Sequence, residues 1–108
     1  MSVSIAVPVS PADLTAHFAA LVQDWKKGRG VSSSSRELSQ HPAYRAIIDL
    51  GEPVVTLVLR EMEREPDHWF IALKTITNAD PVQLASRGNL SHMTRDWLNW
   101  GRTNGYRW

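Results

Sequence analysis

HPAYRAIIDLGEPVVTLVLREMEREPDHWFIALKTITNADPV, residues 41–82, is punctuated as short packed helices require. Pro42 suits the first turn of a helix, where its missing N–H has no partner to lose, and Tyr44, Ile47 and Ile48 then share one side. Gly51 follows where a left-handed residue ends such a helix. Two residues on, Pro53 opens the next, in which Val54, Leu57, Val58 and Met62 form a stripe that Val55 and Leu59 widen. So wide a stripe implies neighbours on two sides. Pro66 breaks this helix, and Asp67 stands where a cap for another is expected. Trp69, Phe70, Leu73 and Ile76 supply that helix's buried side before Asn78 and Asp80-Pro81 stop it. VVTLVL at 54–59 has the β-branched content of a buried strand, but Pro53 before it and the charged continuation to Arg64 favour helix.

Upstream, Ser10-Pro11-Ala12-Asp13 combines a hydroxyl cap, a proline at the first helical position and an acid three after the cap. Leu14, Phe18, Leu21, Val22 and Trp25 follow on one stripe of a helix ending near Lys27 and Gly28. The polar GRGVSSSS, 28–35, reads as a glycine- and serine-rich loop, and Ser34 or Ser35 as the cap of a short turn through Leu38. Residues 1–10 read as an N-terminal arm, because their apolar run is short, interrupted by Pro8 and without a basic leader. Downstream, a loop over 82–89 is expected to be pinned by Val82 and Leu84. A last helix starts near Asn89 or Ser91, with Leu90, Met93, Trp97 and Trp100 at spacings of 3, 4 and 3. Gly101 and Gly105 are expected to loosen its end and leave Tyr106 and Trp108 in a tail. Leu57, Val58, Leu73, Ile76 and Trp97 carry the most regular stripes and should meet in one core. The expectation is an all-α fold, a compact bundle of about five helices forming a single domain over 1–108.

Composition narrows the function more than it names it. Hydrophobic residues at 43% and charged residues at 21% are ordinary globular usage. A formal charge of +1 lacks the long-range attraction of a basic protein for nucleic acid or anionic lipid. With no cysteine, a thiolate metal site, a Cys nucleophile and a disulfide framework are all excluded, which fits a cytoplasmic protein.

Ile48-Asp49-Leu50-Gly51-Glu52-Pro53-Val54-Val55, with Leu57 to Met62 and Ala72-Leu73-Lys74-Thr75-Ile76 behind it, resembles HEAT or armadillo-type helical repeat sequence. That resemblance implies HEAT-like helical hairpins over about a third of the chain. The 41–82 stretch together with the closing RGN and DWLNWGRTNGY is similar to a group of small bacterial proteins. This second likeness implies a bacterial protein of about this length and brings no catalytic residues with it.

Constellations for chemistry are sparse. His17, His41, His68 and His92 are scattered, with no H-x-H, HExxH or i, i+4 pair to hold a metal. Asp67-His68 is the one carboxylate–imidazole neighbour pair, but adjacent residues at a helix start do not face each other. Ser32 to Ser35 have no nucleophile elbow around them, and no phosphate-binding glycine loop occurs. No cofactor is implied. Charge is distributed more tellingly. From Glu52 to His68, Glu52, Glu61, Glu63, Glu65 and Asp67 against Arg60 and Arg64 give a balance of −3. From Arg87 to Trp108, Arg87, Arg95, Arg102 and Arg107 against Asp96 give +3, with aromatics interleaved.

These features lead to a non-catalytic protein-binding module, an adaptor or an immunity-type neutraliser of a partner protein. Its contact residues are expected to be Trp100, Arg102, Tyr106, Arg107 and Trp108, since Arg, Trp and Tyr dominate interface hot spots. The alternative is a nucleic-acid-associated accessory protein using Lys26, Lys27, Arg29 and the C-terminal arginines.

Overall fold

The computed structural model describes residues 11–28 and 35–108. Among these described residues there are six α-helices: α1 (Pro11–Gly28), α2 (Ser35–Ser39), α3 (Pro42–Leu50), α4 (Val55–Arg64), α5 (Phe70–Thr77) and α6 (Leu90–Thr103). Short 3-10 turns span Glu52–Val54 and Leu84–Ser86. Among the described residues there is no strand, and VVTLVL starts at Val54, the last residue of a 3-10 turn, and continues as the first turns of α4. The expected arm over 1–10, with its Ser10 cap, and the interior of the 28–35 loop lie outside the described residues.

Local chemistry sets the helix ends. The His41 ring caps α3, its Nδ1 accepting the Ala43 N–H at 3.0 Å. Gly51 closes α3 with φ 74°, and its N–H donates to the Ile48 carbonyl at 3.0 Å. The Val54 N–H then donates to the Gly51 carbonyl at 3.0 Å, so the chain turns on one residue and starts again at Pro53. Nothing lies within 4 Å of where a Gly51 side chain would begin, so any penalty for substitution is one of backbone geometry. Gly51→Val should therefore lower unfolding free energy by about 1 kcal/mol or more in urea melts, and Gly51→Asn should recover little of it, because ψ −152° lies outside the left-handed α region that Asn tolerates. Equal stability of all three proteins would remove that role. Asn78, at φ 59° and ψ 25°, ends α5 in the left-handed α conformation, its N–H donating to the Lys74 carbonyl at 2.8 Å.

The chain forms an all-α bundle in which alternate helices pair: α1 lies on α3, α3 on α5, and α4 on α6. One half of the core is aromatic. The Trp25 ring lies 4.7 Å from Trp69 and 5.2 Å from Tyr44, and Tyr44 stacks on Trp69 at 5.8 Å. Two polar groups of this cluster are satisfied by backbone, while the buried Trp69 indole N–H has no hydrogen-bond partner among the described residues. The Trp25 indole N–H donates to the Leu38 carbonyl at 2.9 Å. The Tyr44 hydroxyl donates to the His68 carbonyl at 2.9 Å and accepts the Ala72 N–H at 3.0 Å. Burial there raises the Tyr44 pKa well above the ordinary tyrosine value, the Ala72 bond opposing it. The other half is aliphatic, with Val54, Val55, Val58, Leu59, Met62 and Leu73 sealed from solvent beside Trp97. Val58, Leu73 and Trp97 are fully buried, and Leu57 and Ile76 pack half-buried against the same cluster.

Three local expectations are corrected. Asp67 does not cap α5: its carboxylate accepts the His68 N–H at 2.8 Å and its carbonyl accepts the Trp69 N–H at 2.9 Å. That turn buries Trp69 and delays the helix to Phe70. Leu84 does not pin the following loop, being 84% exposed. Val82 is buried there, and Asp96 accepts the Gln83 N–H at 3.1 Å. Gly101 does not loosen the last helix, for reasons that belong to the site. Among the described residues no helix is long and apolar enough to cross a membrane.

Candidate functional site

At the end of α6 the chain doubles back onto the bundle. Gly101 is buried within the helix, and a Cβ there would meet Leu59 Cδ1 at 2.8 Å and Trp108 Cζ3 at 2.9 Å. It is a notch into which α4 and the tail both press. The Asn104 side chain donates to the Trp100 carbonyl at 2.8 Å, and the Tyr106 N–H reaches back to the Gly101 carbonyl at 2.9 Å. These bonds end the helix and aim the last residues across α4.

The aromatics form a ladder. Trp100 meets Trp97 edge-on at 5.3 Å and stacks on Tyr106 at 5.3 Å. The Tyr106 hydroxyl donates to the Glu52 carboxylate. That bond, with desolvation and the carboxylate charge adding to it, pushes the Tyr106 pKa up to about 12. Glu63 is the second anchor: one oxygen accepts the Trp108 indole N–H at 3.0 Å and the other accepts Arg102 at 2.8 Å. The Arg102 guanidinium in turn lies 5.1 Å from the centre of the Trp108 ring, within cation–π range. The acidic and basic stretches of the sequence thus meet in space, α4 and its leading turn supplying acceptors for the donors of α6 and the tail.

Of the five contact residues expected from sequence, Arg102, Tyr106, Arg107 and Trp108 line one recess of about 250 Å³ with Glu63. Trp100 supports it from behind through Tyr106. A second recess of about 380 Å³ shares Glu63 and Arg102 and continues along α6 past Leu98 to Thr94. The Thr94 hydroxyl is buried without a hydrogen-bond partner. Arg107 is exposed, and among the described residues no carboxylate pairs with it. Glu63 and Glu52 were not singled out by the sequence reading. Their signal was the acidic balance of 52–68 set against the basic 87–108.

Other candidates are drawn into structural duties. Lys26 pairs with Glu61 at 3.5 Å and with Glu65, tying α1 to α4. Lys26 and Arg102 are thereby partly neutralised, and Arg29 lies outside the described residues. Asp67 and His68 meet through carboxylate and backbone N–H, and the His68 carbonyl serves Tyr44. Among the described residues no group of three His, Cys, Asp or Glu side chains is gathered to hold a metal.

Two carboxylates link the fold to pH. Asp96, buried midway along α6, is held below its ordinary pKa by hydrogen bonds from Ser86 and from the Gln83 backbone and by the Arg95 charge, against an opposing desolvation. Glu65 is lowered by its hydrogen bond and charge pairing with Lys26. A depressed carboxylate stabilises the fold above its unfolded pKa, and that stabilisation is lost as pH falls through the folded one. Melting temperature should therefore fall from about pH 4 downward, and Asp96→Asn should flatten that slope while lowering stability at neutral pH. An unaltered acid limb in the variant would show that Asp96 carries none of it.

No known family model, curated protein or solved structure matches the chain.

Proposed function

We propose that this chain is a non-catalytic protein-binding module, an adaptor or neutraliser whose contact face is the recess at the end of α6. The observation carrying this reading is the lining of that recess: an indole, a phenol and two guanidiniums around Glu63, one guanidinium having no acid partner among the described residues. These groups give large contact area at small entropic cost, and Arg107 offers a partner's carboxylate a charge-assisted bond. Trp108 and Tyr106 are already held by Glu63 and Glu52, so the face is preorganised and little ordering is lost on binding. The resemblance of residues 48–76 to HEAT-type helical repeat sequence is in keeping with a scaffold that presents a surface. Pairing of Lys26 and Arg102 with carboxylates weighs against the nucleic-acid reading by reducing the positive charge open to phosphates.

Arg107 provides the clean test, because Tyr106 and Trp108 also hold the tail in place and their loss mixes folding with binding. Recovery of a stoichiometric protein from the native host, retained after nuclease and lost with Arg107→Glu at unchanged melting temperature, is the expected result. Recovery that vanishes with nuclease would favour the nucleic-acid reading. Undiminished recovery with Arg107→Glu would move the contact face elsewhere.

A further inference from the structure

The recess that holds Arg107 continues into the larger one of about 380 Å³, with which it shares Glu63 and Arg102. The larger recess runs back along α6 to Ser91. Ser91, Arg95, Leu98 and Arg102 stand at steps of 4, 3 and 4, so they form one stripe of the helix, about 16 Å long at 1.5 Å per residue. Met62, near the end of α4, and Pro66, just after it, form the facing wall.

Cations flank an apolar spot on this stripe. The Arg95 side chain is 57% exposed, and the carboxylate beside it, that of Asp96, lies 3.5 Å away and already accepts from Ser86 and from the Gln83 N–H. Arg102 bonds to Glu63 through one nitrogen and is more than half exposed, which leaves further N–H donors of its guanidinium for a second acceptor. Between the two lies Leu98, half-buried, with the exposed Pro66 on the wall opposite. On the lining of both recesses, Arg95, Arg102 and Arg107 stand against Glu63 alone, a balance of +2, or +1 with the buried Asp96 included. The complement is an anion that also carries apolar groups.

Spacing selects its form. Arg95 and Arg102 are seven residues apart, about 10.5 Å along α6. On a partner helix, carboxylates at i and i+7 have that same separation and lie on one face, with i+3 and i+4 turned the same way between them. In an extended chain about 10 Å is three residues, and residues i and i+3 point to opposite sides. A polyphosphate fits less well, because it has no apolar group for Leu98 and meets the Glu63 charge where the recesses join.

We propose that the partner docks through an acidic amphipathic helix laid along α6, with carboxylates seven residues apart on Arg95 and Arg102 and apolar side chains between them on Leu98 and Pro66. This inference rests on the protein-binding reading above and extends its contact face from Arg107 to Ser91.

Two fluorescein-labelled, alanine-based peptides of about 16 residues, long enough to form helix and identical in composition, test it. One carries Glu at i and i+7 and Leu at i+3 and i+4; in the other Glu and Leu exchange places. In anisotropy titrations with the full chain the first should bind at least tenfold tighter than the second. Arg95→Gln should weaken the first peptide at least fivefold at unchanged melting temperature. Arg95→Glu should weaken it further, and replacing one of its two glutamates by lysine should restore binding to that variant, an effect that a merely misfolded protein would not show. Equal affinity of the two peptides, no binding of either, or indifference to Arg95→Gln would each overturn the proposal. So would an oligothymidylate that binds more tightly than the first peptide and loses affinity with Arg95→Gln, which would assign the stripe to phosphate. In recovery from the native host, a partner lost with Arg107→Glu but retained with Arg95→Gln would overturn this inference and leave the protein-binding reading standing, whereas a partner retained with both would remove the two together.

Discussion

Trp25→Ala should lower the unfolding free energy by about 3–5 kcal/mol, the usual range for emptying a buried tryptophan site. Trp25 is wholly inaccessible, and its ring touches those of Tyr44 and Trp69 while its N–H serves the Leu38 carbonyl. One truncation therefore opens a cavity between α1 and α3 and leaves the Leu38 carbonyl of α2 with only the longer 3.4 Å bond from the His41 N–H. Against a total of roughly 5–15 kcal/mol for a domain of this kind, the variant should sit near its unfolding midpoint in little or no denaturant. Trp25→Phe separates the two effects, keeping most of the ring area and losing the bond, and should cost less. Urea melts followed at 222 nm would measure both. A midpoint unmoved by the alanine variant would mean that α1 is not packed against α3 as described.

The second large effect is expected at Leu73, where alanine should cost about 2–5 kcal/mol. Leu73 sits mid-α5 with no exposed surface, and its backbone is fixed at both ends. Its N–H donates to the Trp69 carbonyl at 3.1 Å, and its carbonyl accepts the Thr77 hydroxyl at 2.6 Å. With α5 packed on α3 and α4, the walls around a missing isobutyl group have little room to collapse, which places the cost toward the upper half of that range. The neighbouring Lys74→Ala, on the exposed face, should change stability by about 0.5 kcal/mol or less. Calorimetric melts of both variants would distinguish a packing effect from a helix-propensity effect, and equal losses in the two would discard the first.

How far the sequence could be read depended on whether a residue's role was local. Helix ends written by proline, glycine and asparagine were legible because the φ they impose needs no tertiary context: Pro42, Gly51 and Asn78 all stand where expected. Apolar periodicity likewise located Phe18, Val22, Tyr44, Ile47, Val58 and Leu73 in the core. Asp67 misled because an aspartate can bond the N–H next to it as readily as one further on, and the burial of Trp69 favoured the tighter turn. Gly101 misled for the opposite reason. Its role is set by Leu59 and Trp108, which lie 42 and 7 residues away in the chain, and no local pattern reports a missing Cβ as a contact surface. The site divides along the same line. Its arginines and aromatics were visible as a cluster, while Glu52 and Glu63 became part of it only when α4 packed beside α6.

The strap made by Tyr106 and Trp108 has a consequence for rates. Its bonds to Glu52 and Glu63 join residues 54 and 45 apart in sequence, whereas most of the bundle is built from helices and short turns. Contacts closing so long a loop are repaid only after the intervening helices have docked, so they form on the native side of the folding barrier. Interactions absent from the transition state leave the folding rate alone and slow unfolding. The strap is in that sense a latch: it determines how long a folded molecule stays folded rather than how quickly it arrives there.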